Sequence, residues 1–383
     1  MSDVRIGVVG VGNMGGVHGT TLTEGKVPGA VLAAICDTDA ARFEKFPDVP
    51  SFATHTEMIA SGLIDAVLVA TPHYDHVPIG IDTLNAGLHV LVEKPLAVTK
   101  LQATQLIAAS EANSSCIFSA MFNQRTDARY RALKRMIDDG ELGKINRINW
   151  IITNWFRTEA YYAGGDWRAT WSGEGGGVLM NQCPHQIDLW QWLFGMPSKV
   201  RTFAQLGRFH NIEVEDDVTA YFEYENGTTG VFITTTGEAP GTNRLEIAAE
   251  NGKVVIEGDG VTFLRNETPS MEFLKTSDKP FGCPKNEAVE IKLEEPGEQH
   301  LGIMKNFVAA IHGDASLIAP GEEGIHMVEL ANAMLYSGLH DTTVTLPLDA
   351  ELYEKHLQKL VADSKFVKQT VTTDGSVDMS DSF

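Results

Sequence analysis

Residues 4–15 read Val4-Arg5-Ile6-Gly7-Val8-Val9-Gly10-Val11-Gly12-Asn13-Met14-Gly15, an apolar, largely β-branched run that ends in a glycine loop. Residues 4–10 have the composition of a strand buried on both faces of a parallel sheet, and residues 13–24 are long enough for the helix that follows it. Gly25, Pro28 and Gly29 supply a stop and a turn, and a second apolar run at residues 31–37 completes a strand, helix, strand unit. In that setting the spacing GxGxxG has a physical meaning. Gly10 permits the tight turn, Gly12 lets the backbone approach a pyrophosphate, and Gly15 allows close packing of helix on strand. The free amides at the helix start, from Gly12 through Asn13 and Met14 to Gly15, offer donors and a positive dipole end to an anion. Asp37 stands at the end of the second strand, about 20 residues beyond the glycines, where a carboxylate accepts hydrogen bonds from both ribose hydroxyls. The same charge repels the 2′-phosphate of NADP, so the expected cofactor is NAD, preferred over NADP.

The alternation continues with strands at residues 65–70, 88–92 and 116–121 and helices at residues 76–86 and 99–112. It implies a doubly wound parallel sheet, a dinucleotide-binding Rossmann domain over residues 1–123. The rhythm then changes. A helix at residues 129–139 closes at Gly140, and runs at residues 145–156, 218–225, 231–236, 245–249, 253–257 and 289–293 read as strands bounded by Gly, Asn or Pro turns. Residues 177–194, 300–313 and 324–338 read as helices. The expected fold is therefore α/β: the Rossmann sheet, then a C-terminal α+β domain over residues 124–383 with a large open, mainly antiparallel sheet. That second domain is expected to bind substrate and to mediate oligomerisation. Its polar tail, residues 370–383, reads as a frayed or peripheral arm.

Bulk properties narrow the function. The 383 residues hold 30 Lys and Arg against 51 Asp and Glu, a formal net charge of -21, which repels nucleic acid backbones and anionic lipid. No nucleic acid or membrane partner is expected. The N-terminus lacks the pattern of a signal peptide, and no apolar run reaches the length of a membrane span. Cys36, Cys116, Cys183 and Cys283 lie far apart, as reduced thiols of a cytoplasmic protein would. His73, Asp75 and His76 are too loosely spaced for a metal site, so they read as loop and helix-start residues and no metal is expected.

Residues 88–95, LHVLVEKP, place Glu93, Lys94 and Pro95 at the C-terminal end of a strand, the edge where open α/β sheets bind ligands. Alcohol oxidation needs a base for the hydroxyl proton, and a histidine's ordinary affinity for protons suits a group that takes and returns one. In the second domain Trp155 and Arg157, and then Asp166, Trp167 and Arg168 within residues 161–171, set aromatic faces beside hydrogen-bonding groups. Such a cluster suits a carbohydrate ring, and equally a Trp-rich core seam.

The glycine fingerprint, Ala70-Thr71-Pro72 followed by His76, Gly87-Leu88-His89-Val90 leading to Glu93-Lys94-Pro95, and Gly175-Gly176-Gly177 leading to His185 together resemble the Gfo/Idh/MocA oxidoreductases. The resemblance spans residue 4 to about residue 348. It implies a dehydrogenase acting on CH–OH donors, with Lys94 contacting both cofactor and substrate hydroxyl and His185 as general acid/base. It implies cofactor contacts from Gly10, Gly12, Asn13, Met14, Gly15, Asp37, Thr71, Pro72, His76, Glu93 and Lys94. Substrate contacts would come from Lys94, Arg125, Trp155, Arg157, Asp166, Trp167, Arg168, Asn181 and His185. A cis peptide before Pro95 and a homodimer or homotetramer belong to the same expectation. One position departs: Asn181 stands where the family usually has aspartate, four residues before His185. An amide there orients a hydroxyl or contacts Lys94 but carries no charge. Asp188, one turn beyond His185, either orients its ring or serves a plain helix role.

The substrate implied is a sugar, glycoside or polyol of inositol type. Two rival readings stay open, an NAD-retaining glycoside-modifying enzyme that works through a transient keto-sugar, and a non-catalytic NAD-sensing regulator. The presence of both Lys94 and His185 speaks against the regulator.

Overall fold

The computed structural model describes residues 2–370. The first strands are β1 (Val4–Val9), β2 (Ala30–Cys36), β3 (Ser51–Phe52), β4 (Ala66–Val69), β5 (His89–Val92) and β6 (Phe118–Ala120). They form one parallel sheet in the order β3-β2-β1-β4-β5-β6. Between them run helices α1 (Asn13–Thr23), α2 (His55–Ala60), α3 (His76–Asn85) and α4 (Lys100–Ala112). Every residue of β4 is buried, which is why these strands read as unbroken apolar runs and not as alternating ones. Val9 lies level with both Cys36 and Val69, so β1, β2 and β4 end together and their following loops open onto one crevice.

The chain then enters α5 (Ala128–Asp138) and β7 (Ile145–Ile152), followed by helices α6 (Glu159–Ala163) and α7 (Pro184–Phe194). Next come β8 (Lys199–Leu206), β9 (Glu215–Glu223), β10 (Thr229–Thr235), β11 (Asn243–Ala249), β12 (Gly252–Glu257), β13 (Gly260–Asn266), α8 (Ser270–Thr276) and β14 (Asn286–Glu290). Helices α9 (Gln299–His312), α10 (Gly324–His340) and α11 (Ala350–Asp363) close the order, with the short β15 (Val344–Thr345) between the last two. The second sheet has nine strands in the order β14-β13-β12-β11-β7-β10-β9-β8-β15. All its pairings are antiparallel except β7 with β10. One face is covered: Val218, Ala220 and Phe222 of β9 are buried, and Trp190 of α7 packs edge-on against Phe222 and Phe232. The other face is open, with Phe203 and Tyr221 exposed.

Helix α10 ties the two sheets together. Asn332 accepts from the Lys100 amide at 2.9 Å and donates to Val98 O at 3.0 Å, while Lys100 Nζ reaches Glu329 at 2.8 Å. No helix among the described residues is long and apolar enough to cross a membrane. The cysteines are free thiols, three buried and Cys283 exposed.

Three of the expected elements are shortened or displaced. The helix expected over residues 177–194 starts only at Pro184, because the backbone of Gly177 and Leu179 is taken by the Glu215 carboxylate. The strand expected over residues 145–156 leaves the sheet after Ile152, and the one expected at residues 289–293 lies at Asn286–Glu290. Beyond Thr370, the expected terminal arm falls outside the described residues.

Candidate active site

The glycine loop after β1 is built on contacts no side chain permits. Gly10 has φ +83°, and a Cβ there would stand 2.7 Å from Ala70 O; at Gly15 it would stand 1.8 Å from Gly10 O. Helix α1 begins after Gly12 with no side-chain cap and no acidic residue in its first turn, so the amides around Asn13 and Met14 remain for an anion. Asp37 is buried at the loop's mouth. Its Oδ2 accepts from Val11 N at 2.8 Å and its Oδ1 from Asp39 N at 2.9 Å, with Arg42 Nη1 at 3.3 Å. A carboxylate has about four acceptor sites, so Asp37 can brace the loop and still accept from a ribose. Thr71 Oγ1 is buried beside Gly10 with no partner among the described residues. Uncapped amides, close backbone, a placed carboxylate and an orphaned hydroxyl fit a dinucleotide.

Pro72 leads from this loop into a 3-10 turn over His73–Asp75, and His76 follows at the start of α3. The His76 ring is buried between two main-chain carbonyls, Nδ1 2.7 Å from Pro95 O and Nε2 2.9 Å from Thr71 O. The expected cofactor contact is therefore corrected. Burial lowers the ring's affinity for a proton. A neutral imidazole donates through one nitrogen only, so His76 bonds one of these two carbonyls and packs against the other, between the β4 loop and the loop after β5. His73 points elsewhere, with Nδ1 3.1 Å from Glu174 O and its ring edge-on to Trp167.

Past β5 the chain runs through Glu93 to a cis Lys94–Pro95 peptide. Glu93 is buried, with Oε1 2.7 Å from His18 Nε2 and Oε2 accepting from the Lys94 amide at 3.1 Å. Burial alone would push its carboxyl up, but the His18 hydrogen bond and the charges of His18, His300 and Lys94 hold it down at about 2. The Lys94 ammonium donates to Asn181 O at 2.8 Å. Burial lowers its affinity for a proton; Glu93 and Glu174 oppose that, and Arg168 and Arg157 reinforce it.

Asn181 belongs to the turns after Gly175-Gly176-Gly177. Glu215, at the start of β9, fixes them: both its oxygens lie within 2.9 Å of Gly177 N and one within 3.0 Å of Leu179 N. A Cβ on Gly177 would stand 2.0 Å from Glu215 O, so β9 and this turn lie backbone to backbone. Pro184 then opens α7 and delivers His185. The His185 ring is buried, and its Nδ1 has no partner among the described residues. Burial, then the charges of Lys94 and His300, hold it well below the ordinary histidine value against a weaker pull from Glu93. The ring is therefore neutral and able to take a proton.

Two expectations are corrected beside it. Arg125 does not face a substrate: its fully buried guanidinium forms a paired contact with Asp188 at 2.7 and 2.8 Å and reaches Glu323 and Ile318 O. The same pairing occupies Asp188, which does not orient His185. An interior guanidinium requires such partners, and α7 supplies one.

Residues 155–182 lie beside Lys94. Tyr161 Oη accepts from Arg168 at 2.8 Å and from Gln182 at 3.1 Å and donates to Asn181 Oδ1 at 3.3 Å. Arg157 lies over the rings of Trp155 and Tyr161, and Arg168 over those of Tyr161 and Trp167. Asp166 is exposed at the rim, and the Asn181 amide donates to Glu174 Oε1. Sequence reading misses Glu174, Gln182, Glu215 and His18. Two of them carry a local signal, His18 falling three residues after Gly15 and Glu174 directly preceding the triple glycine.

Comparisons with known proteins agree with this architecture. Residues 4–121 match the family model described as oxidoreductase family, NAD-binding Rossmann fold, and residues 130–255 match the GFO/IDH/MocA C-terminal domain. An uncharacterized oxidoreductase of Escherichia coli, YdgJ, is 26% identical over 366 residues, covering 90% of this chain and all of that protein. The inositol 2-dehydrogenase of Leifsonia xyli is 26% identical over 268 residues, 63% of this chain and 75% of that one. Among solved structures, the WlbA dehydrogenase of Chromobacterium violaceum, in complex with NADH and UDP-GlcNAcA, superposes with a TM-score of 0.78 at 27% identity, covering 91% of this chain and 97% of that chain. With the glycine loop, the Glu93-Lys94-Pro95 segment and His185 assembled around one crevice, the chain belongs to the Gfo/Idh/MocA family of NAD-binding oxidoreductases.

Proposed function

We propose that the protein is an NAD-dependent dehydrogenase that moves a hydride between a secondary hydroxyl carbon of a sugar, glycoside or polyol and the nicotinamide ring. The observation that carries this reading is the meeting of Lys94 with the turn that leads into α7 and His185, through the 2.8 Å bond to Asn181 O. When bound, NAD supplies the hydride acceptor. Lys94 donates to the substrate hydroxyl oxygen and steadies the charge that grows there as the C–H bond breaks. His185, neutral before reaction, accepts the hydroxyl proton; reduction of a ketone runs the same transfers in reverse.

The preference for NAD over NADP rests on Asp37, whose negative charge faces the ribose position. A polyhydroxylated substrate suits the wall of Tyr161, Arg157, Arg168 and Asn181, with Trp155 and Trp167 as apolar faces and Asp166 at the rim. The inositol 2-dehydrogenase relative and the neighbour bound to UDP-GlcNAcA support the same class. The open sheet face with Phe203 and Tyr221 supports a homodimer or homotetramer, and the free thiols support a cytoplasmic location. The division into a cofactor unit over residues 1–123 and a substrate unit from residue 124 goes with this reading.

A screen of inositols, aldoses and glucosides, with NAD and NADP in parallel, tests the proposal by the absorbance of reduced nicotinamide. Reduced cofactor accumulating with NAD and one such substrate is the expected result. Product formed with no accumulation turns the reading to the NAD-retaining reaction, and binding of NADH without oxidation of any substrate turns it to a regulator.

A further inference from the structure

The Lys94 ammonium bonds to an uncharged group, Asn181 O, in a setting that holds two like charges, Arg157 and Arg168. The adjacent carboxylate, Glu93, is engaged with His18 at 2.7 Å. Another lies behind Asn181. Glu174 is 1% exposed, accepts from Ala169 N at 2.7 Å through Oε2, and accepts the Asn181 side-chain amide through Oε1. Its contact with Arg168 is long, 3.9 Å. One residue, Asn181, is thus tied to the ammonium by its main chain and to a buried carboxylate by its side chain.

Burying a carboxylate is unfavourable unless charge or hydrogen bonds offset it. Burial pushes the Glu174 carboxyl up, and Arg168, the hydrogen bonds from Ala169 and Asn181, and Lys368 oppose that push. With Nδ2 turned inward to Glu174, Asn181 Oδ1 must face Tyr161, and the carbonyl faces Lys94. We propose that Glu174 is the positioning residue of Lys94: through Asn181 it aims the acceptor that holds the ammonium, and it adds a second carboxylate, beyond Glu93, to the surroundings of Lys94. The charge that an aspartate at position 181 would place beside Lys94 sits instead at position 174, with the hydrogen bond between the two positions running the other way. This inference rests on the reading of Lys94 as the hydroxyl-binding group.

The arrangement can be reversed by exchange. In Glu174→Gln the new amide can keep the Ala169 bond through its oxygen, but then sets its NH2 against that of Asn181. In the double variant Glu174→Gln, Asn181→Asp, the introduced glutamine keeps the Ala169 bond through its oxygen, and its NH2 donates to the introduced carboxylate, so every bond and the charge are restored.

The test is an NMR titration of the Lys94 ammonium in protein carrying isotope-labelled lysine, the signal assigned by its loss in Lys94→Arg. Wild type, Glu174→Gln and the double variant are compared. Removal of the charge is expected to lower the Lys94 midpoint by about one pH unit, the low end of the effect of a nearby opposite charge, and the double variant is expected to return it to the wild-type value or above. An unchanged midpoint in Glu174→Gln, or a double variant as low as the single, overturns the proposal. If Glu174→Gln does not fold, the double variant decides alone: folded with Lys94 at or above wild type supports the proposal, unfolded or lowered defeats it. The titration uses no substrate, so its outcome is separate from that of the sugar and polyol screen. A shift without turnover keeps the pairing and removes the reaction, and turnover without a shift does the reverse.

Discussion

Lys94 Nζ donates to Asn181 O at 2.8 Å although 87 residues separate them in the chain. The contact brings the end of β5 against the turn before α7, and with it His185, whose proton affinity Lys94 lowers. An ammonium can donate to an oxygen, and a neutral imidazole can accept a proton.

Replacing either group should remove catalysis and spare cofactor binding. Lys94→Ala and His185→Ala are each expected to lower turnover by at least about a hundredfold, the scale of acid/base contributions, with NADH affinity largely kept. Steady-state rates on a substrate from the screen and NADH fluorescence titration measure both quantities.

The pH dependence should carry the mark of His185. Oxidation needs its unprotonated form, which burial and the charges of Lys94 and His300 favour. As pH falls, kcat/KM for oxidation should therefore hold through the ordinary histidine range near about 6.5 and decline only below it. A pH–rate profile with its acid limb at or above that value counts against His185 as the base.

Gly15→Ala should abolish cofactor binding, because its Cβ would stand 1.8 Å from Gly10 O and the loop must move to admit it. Isothermal titration with NADH is expected to show no saturable binding, while the second sheet stays folded by circular dichroism.

Arg125→Ala separates an interior ion pair from a substrate contact. Side-chain exposure is 0% for Arg125 and 1% for Asp188, so the substitution strands a buried carboxylate. Stability in urea is expected to fall by about 3–5 kcal/mol, the usual result of breaking one partner out of a buried pair, with little change in KM for the enzyme that remains folded. A raised KM with unchanged stability would return Arg125 to the substrate site.

Much of the fold is legible because parallel strands covered on both faces, such as β4, must be apolar throughout, and glycines must mark the loop that packs against Ala70. The helix expected over residues 177–194 shows the limit of periodicity. Leu179, His185, Leu189 and Trp192 recur at helical spacing, yet the first of them lies in a turn held by Glu215, a residue 36 positions away whose role no local pattern discloses. β8 escapes notice because the open sheet face leaves Phe203 63% exposed and blurs the alternation. In the site, Lys94 and His185 are legible from their motifs. The partner of Arg125 is not, since Asp188 sits on the helix that carries His185 and reads equally well as its orienter.

The central claim is spatial, and a crystal structure of the protein with NADH tests it most directly. The account predicts the pyrophosphate on the amides of Gly12 to Gly15 and the nicotinamide carbon that carries hydride facing a space bordered by Lys94 Nζ and the His185 ring. A nicotinamide seated away from both side chains, or a dinucleotide bound outside the glycine loop, would contradict it.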